Sequence, residues 1–207
     1  MKKIVIMLMV LLFIFTPMRV SAECVDDSVS IEVQDAIKKV LGYEKYRGMS
    51  SDYFYLECAI VVVESGCTKY AISSTGDYGY AQINYNVQRS RIYDLGISDI
   101  FDEESNILVC TDVLYDLDKM LGVKSDTDFY NVLMHYNGTK NASALFRSGC
   151  YSEYAKKVME YYFMFKQGAE VNCMEDFVRN YEVSSKLHAG ATKEMMRYVG
   201  GSIEYYE

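Results

Sequence analysis

Proline is nearly absent from this 207-residue chain: its one proline is Pro17, inside the first 22 residues. Long helices are therefore open to the whole of the remaining chain. Tryptophan is absent and there are two histidines, His135 and His188, at no metal-ligand spacing. No C-x-x-C pair occurs, which removes the commonest cysteine metal signature. The chain has no internal repeat, no low-complexity tract and, past its start, no apolar run long enough to span a bilayer. Basic charge is also in deficit. The formal net charge is −8, and without Lys2, Lys3 and Arg19 it becomes 18 basic against 29 acidic side chains, about −11. A surface of that sign is a poor partner for nucleic acid.

The first 22 residues read as a signal peptide. Lys2 and Lys3 form a basic start, Ile4 to Thr16 is an apolar stretch of 13 residues, and Val20-Ser21-Ala22 is a small-residue cleavage site. A membrane anchor is the weaker reading, because a spanning helix needs about 20 apolar residues. The expectation is export to the periplasm, cell wall or extracellular space after cleavage near Ala22. The mature chain of 185 residues from Glu23 is enough for one domain with a sizeable core. Its six cysteines, at 24, 58, 67, 110, 150 and 173, survive cleavage. In an exported chain an even count reads as up to three disulfides, whose pairing sequence leaves open. Buried free thiols are the competing reading.

Helical periodicity is visible in several segments. Ile31, Val33, Ala36, Ile37 and Val40 fall on one face of a segment from Ser30 to Tyr46. Ser50, Ser51 or Asp52 can cap a second helix whose Tyr53, Leu56, Ile60 and Val63, widened by Val61 and Val62, predict burial on most sides. Residues 66–80 hold three glycines among hydroxyls and predict an irregular loop or short hairpin. Ile107, Cys110, Leu114, Leu117 and Leu121 give an amphipathic helix from Glu104 to Leu121, and two more are expected near Asp126 to His135 and Ser152 to Lys166. Residues 168–207 read as a C-terminal helical appendage after a main domain of residues 23–167.

Glu64 ends the second predicted helix, just before Gly66, a suitable C-terminal cap. The negative end of the helix dipole and three preceding valines both push a carboxyl pKa upward, toward a group able to donate a proton near neutral pH. A lone glutamate at a helix end is ordinarily a solvated residue. The residues on its C-terminal side change that reading.

The stretch "ESGCTKYAISSTGDYGYAQIN" resembles the signature of the SLT-type lytic transglycosylases, a catalytic Glu-Ser trailed by G-x-x-G-x-x-Q-I; here these are Glu64, Ser65, Gly76, Gly79, Gln82 and Ile83. "FDEESNILVCTDVLYDL" is similar to the family's Asp-Pro-Glu-x-Asn helix start, with Glu104 and Asn106 in the matching places. "MHYNGT" is similar to its Ala-Tyr-Asn-x-Gly, giving Tyr136 and Asn137, and "YSEYAKKVMEYY" to its last helix, giving Tyr154 and Val158. The resemblance runs from near Ser51 to Phe165. Departures are Cys67 for an aromatic residue, Ala81 for methionine, His135 and Gly138-Thr139 around Tyr136-Asn137, and Asp77 where alanine is usual. "DYGYAQIN" is also similar to animal c-type lysozymes, which makes Asp77 a candidate second carboxylate.

The resemblance implies a mainly α, lysozyme-like (α+β) fold with a small loop or hairpin beside an active-site cleft. It implies peptidoglycan glycan strands as substrate, no cofactor and no metal. Glu64 would be the catalytic acid at the β-1,4 bond between N-acetylmuramic acid and N-acetylglucosamine, giving 1,6-anhydro ends. Ser73 and Gln82 would donate hydrogen bonds to N-acetyl groups, Tyr136 would orient Glu64, Tyr154 would support it, and Asn137 would contact substrate. The alternatives are a hydrolytic muramidase using Glu64 and Asp77, and a low-turnover glycan-binding component of an envelope or secretion machine, partnered through residues 168–207.

Overall fold

A computed structural model describes residues 28–169, which are mainly helical with one short antiparallel hairpin. The expected signal segment lies outside the described residues, as do Cys24, Cys173 and residues 170–207 of the expected appendage.

Helix α1 spans Ile31–Leu41 and buries Val33, Ala36, Ile37 and Val40, the face that its periodicity predicts. It stops earlier than the expected Tyr46: Gly42 closes it, Tyr43 is extended, and a separate 3-10 turn comes next at Glu44–Tyr46. Helix α2, Asp52–Ser65, is the central rod, with every residue from Tyr53 to Val61 buried. It ends at Gly66, whose φ of 59° lies in the left-handed region and whose N–H bonds to Val62 O at 3.0 Å. A loop then leads into the hairpin of β1, Asp77–Tyr78, and β2, Ile83–Asn84, with Asp77 opposite Asn84 and Tyr78 opposite Ile83.

Helix α3, Tyr85–Asp94, begins at once, its first turn capped by the Asn84 side chain accepting from Val87 N. Helix α4, Glu103–Leu121, is capped by Asp102 accepting from Ser105 N at 3.0 Å and carries Ile107, Val109, Cys110 and Leu114 into the core. Helix α5, Asp128–Tyr136, starts two residues later than expected. The Asp128 carboxylate accepts from the N–H groups of Lys124 and Ser125 and holds the preceding turn, while Asp126 bonds to Lys166. Helix α6, Ala142–Arg147, is short, and helix α7 runs over 153–169 with Ala155, Val158, Met159, Tyr162 and Phe165 buried.

Lys166 ties α7 to the start of the central rod and to the turn before α5. Lys166 Nζ lies 3.1 Å from Asp52, at the start of α2, and 3.0 Å from both Asp126 and Tyr162 Oη. Edge-to-face rings, Tyr53 on Phe129 and Phe129 on Tyr162, join α2, α5 and α7 through the core. This fastening brings the N-terminal turns of α7 beside the C-terminal end of α2, where Glu64 sits.

The fullest form of the cysteine expectation, three disulfides, is not met. Three disulfides among six cysteines would require at least one bridge within Cys58, Cys67, Cys110 and Cys150, and all four are free thiols. Cys58 and Cys110 are buried in the core, where cysteine serves as a small apolar residue. Among the described residues, no helix is long and apolar enough to cross a membrane.

Candidate active site

A cleft of about 540 Å³ opens between the hairpin, α3 and the end of α5. Glu64, Ser73, Asp77, Gln82, Tyr136 and Asn137 all line it. Residues from three separate stretches of sequence thus meet in one cleft, and Tyr154 stands behind Glu64.

Glu64 is half-buried in the last turn of α2, where free carbonyls already disfavour negative charge. Burial raises its pKa to about 7, partly countered by a hydrogen bond from Tyr154 and reinforced by the negative charge of Asp77. Tyr154 Oη donates to Glu64 Oε1 at 2.7 Å. The carboxyl is therefore held by one oxygen, and it exchanges a proton close to neutrality.

The two tyrosines divide the work differently from the expectation. Tyr136 Oη donates to Ala81 O at 3.1 Å and lies 3.4 Å from Cys110 Sγ, so it ties α5 to the hairpin while Tyr154 orients Glu64. Asn137, which caps α5, is exposed on the cleft wall.

The hairpin is held by its own side chains. Asp77 accepts from Ser73 Oγ at 2.6 Å, Asn84 Nδ2 at 2.6 Å and Thr75 Oγ1. Burial opposes its ionisation, yet these bonds outweigh burial and hold its pKa below the usual carboxylate range. Asp77 is thus an anion at neutral pH, facing the same cleft as a carboxyl that is partly protonated there. Ser73 gives its proton to Asp77 and its Oγ accepts from the N–H groups of Thr75 and Asp77 at 3.2 and 3.1 Å, so its hydroxyl holds the loop rather than standing free as the expected donor.

Gln82 reverses its expected sense. Its Nε2 donates to Ala71 O at 3.2 Å and to Gly79 O at 3.0 Å, and carbonyls only accept, so the amide orientation is fixed and Oε1 is the atom left for a ligand. Its φ of 46° is a left-handed value for a residue with a side chain, held in place at the cleft. Gly79 is required for contact with α4. At its φ of +75° a Cβ would lie 2.4 Å from Asn106 Nδ2. Buried Asn106 occupies that space, accepting from Ala81 N at 2.8 Å and donating to Tyr78 O at 3.0 Å and Ile100 O at 2.9 Å. Glu104 bonds to Lys39 and Tyr43 and fastens α4 to α1, away from the cleft.

Some participants were missed from sequence. Asn84 lines the cleft, and its position opposite Asp77 comes only from the hairpin register. Gln88 also lines the cleft, from α3, a helix whose weak periodicity gave no signal. Glu57, which does not line the cleft, is a fully buried acid seven residues before Glu64 and hence on the same face of α2. Its heptad spacing from Glu64 was the available signal. His135 lies with Nδ1 2.8 Å from Asn131 O and Nε2 3.3 Å from Ser143 Oγ, a structural arrangement. No group of three or more His, Cys, Asp or Glu among the described residues is placed to hold a metal ion.

Compared with protein families, the chain matches the model described as Transglycosylase SLT domain over residues 44–153, which spans α2, the hairpin, α3 to α6 and the first residue of α7. No curated protein matches the chain.

Proposed function

The chain belongs to the transglycosylase SLT family, whose members cleave peptidoglycan, and from that premise we propose that it is a lytic transglycosylase with Glu64 as its single acid and base. The observation that carries this reading is the state of Glu64: a carboxyl facing the cleft, anchored through one oxygen by Tyr154, with a pKa of about 7. A group poised near neutrality can both give and take back a proton.

In the proposed reaction Glu64 donates its proton to the bridging oxygen as the bond from C1 of N-acetylmuramic acid to that oxygen breaks, and the released N-acetylglucosamine end keeps the proton as a hydroxyl. The 6-hydroxyl of the same muramoyl residue then bonds to C1, and its proton returns to Glu64. Acid is regenerated, no water is consumed, and a 1,6-anhydro end remains. The tyrosine hydrogen bond favours the carboxylate left behind by proton donation and therefore assists the first half of the cycle. Export after cleavage near Ala22 would place the enzyme where its substrate lies.

A second reading rests on Asp77. An anionic carboxylate in the cleft of Glu64 suits a retaining muramidase, in which it would stabilise or attack the oxocarbenium-like centre and water would complete hydrolysis. Three hydrogen bonds from hairpin side chains favour instead a role in shaping the loop. A low-turnover glycan binder would have no use for a raised acid. Turnover by Glu64→Gln on purified cell walls tests the proposal. It should fall by at least about 100-fold, the scale of losing a general acid, with thermal unfolding preserved. Near-normal lysis would overturn the assignment.

A further inference from the structure

The wall of the cleft formed by α3 contains a fixed hydrogen-bond donor outside the family motifs. Gln88 lies one helical turn before Arg91, and Arg91 Nε donates to Gln88 Oε1 at 3.0 Å. Arginine has five donors and no acceptor, so the Gln88 atom facing it must be the oxygen. The amide therefore cannot be turned over, and its NH2 remains directed away from Arg91. That NH2 makes no hydrogen bond to any described residue, and Gln88 lines the cleft together with Glu64.

Arg91 is itself immobilised. Its other two nitrogens donate to Asp112 and, at 2.8 Å, to Asp116 on α4. Asp112 is almost fully buried and also receives Lys45 and the Tyr46 hydroxyl, the latter at 2.6 Å. A guanidinium tied at all three nitrogens holds the Gln88 carboxamide without loss of side-chain entropy on binding. Such an anchor is more than an exposed glutamine needs for solubility. The cleft thus offers two glutamines locked in opposite senses, Gln82 presenting an oxygen and Gln88 presenting an NH2.

We propose that Gln88, oriented by Arg91, is a specificity-determining contact that donates to an amide carbonyl oxygen of the glycan strand. Arg91 is the positioning residue. Two sources carry that chemistry in peptidoglycan, the N-acetyl group of a sugar and the lactyl-linked stem peptide. The proposal rests on the reading of this cleft as a glycan site.

Binding can be measured without turnover by titrating the Glu64→Gln protein calorimetrically with two ligands, a β-1,4-linked N-acetylglucosamine hexamer and a peptidoglycan tetrasaccharide bearing stem peptides. Gln88→Glu, added to that background, keeps the side-chain length and the oxygen that meets Arg91 but replaces the NH2 with a second oxygen. Its affinity should fall by about tenfold, the effect of losing one hydrogen bond and facing a carbonyl with an acceptor. Loss on both ligands assigns the contact to an N-acetyl carbonyl, and loss on the peptide-bearing ligand alone assigns it to the stem peptide. Gln88→Leu, which removes the donor without adding charge, should weaken binding in the same arm. Unchanged affinity for both ligands in both Gln88 variants would overturn the proposal while leaving the glycan reading intact. Failure of the Glu64→Gln parent to bind either ligand would overturn the glycan reading and this proposal with it.

Discussion

Glu57 allows a quantitative test of how this fold tolerates acid in its interior. It is fully buried on α2, its Oε1 has no partner among the described residues, and its Oε2 lies 2.9 Å from Thr111 Oγ1. Thr111 Oγ1 is also 3.0 Å from Ile107 O, the usual back-bond of a helical threonine. One hydroxyl hydrogen cannot serve both, and the carbonyl can only accept. The Thr111 hydroxyl is thus at most one neutral donor to the Glu57 carboxyl, which burial otherwise leaves uncompensated, and the neutral acid is favoured. Burial accordingly lifts its pKa from 4.5 to about 8, against the opposing effect of the Thr111 contact. The neighbouring Tyr53, Cys58 and Cys110 are pushed upward as well and stay neutral across this range.

Linkage fixes the sign. In the unfolded chain Glu57 ionises above pH 4.5 while the folded protein keeps it protonated, so its contribution is fully present below pH 4.5 and is lost as pH rises toward 8. At 1.36 kcal/mol per unit, the shift corresponds to about 5 kcal/mol across that window. Glu57→Gln is close in shape, can donate from its NH2 to Thr111, and does not titrate. Urea unfolding of both proteins near pH 5 and near pH 8 should give similar stabilities at the lower pH and a variant more stable by several kcal/mol at the higher one. Glu64 contributes a slope of the same sign to both proteins and cancels in the difference. Parallel stability curves for the two proteins would refute the neutral-acid assignment.

Two predictions concern the Glu64 carboxyl. Tyr154→Phe removes the bond that lowers the Glu64 pKa, so the alkaline limb of the pH–rate profile, where the acid loses its proton, should move upward from about 7 and neutral-pH activity should fall about tenfold; a limb that stays or moves down would contradict the geometry. Asp77→Asn removes a nearby negative charge that raises the Glu64 pKa, so the same limb should move down while products stay unchanged and activity falls less than about tenfold. Collapse of activity in Asp77→Asn would transfer the chemistry to the two-carboxylate reading.

Features set by local rules were legible in the sequence. Gly66 marks the end of α2, the spacing of Ile107, Cys110 and Leu114 gives α4, and the glycines of 66–80 announce the hairpin region. The motif residues Ser73, Asp77, Gln82, Tyr136 and Asn137 do meet Glu64 in one cleft. Helices α3 and α6 were not legible: α3 buries only Ile92 and so has no apolar stripe, and α6 is six residues long behind a left-handed Asn141. Which tyrosine reaches Glu64 depends on the docking of α7 through Lys166 and Tyr162, contacts remote in sequence from Tyr154. What Ser73 and Gln82 leave for a ligand was equally hidden, since it is decided by partners at Thr75, Asp77, Ala71 and Gly79 rather than by residue type. The cysteines misled because parity counts thiols without their placement, and Cys58 and Cys110 turn out to be apolar filling.

The identity of the new chain ends tests the central claim most directly. Purified peptidoglycan digested by the protein should release muropeptides whose masses correspond to 1,6-anhydromuramic ends, one water lighter than reducing ends, with this product absent from a Glu64→Gln digest. Reducing muramic ends from the wild-type protein would contradict intramolecular attack and show that water, not the substrate hydroxyl, closes the reaction.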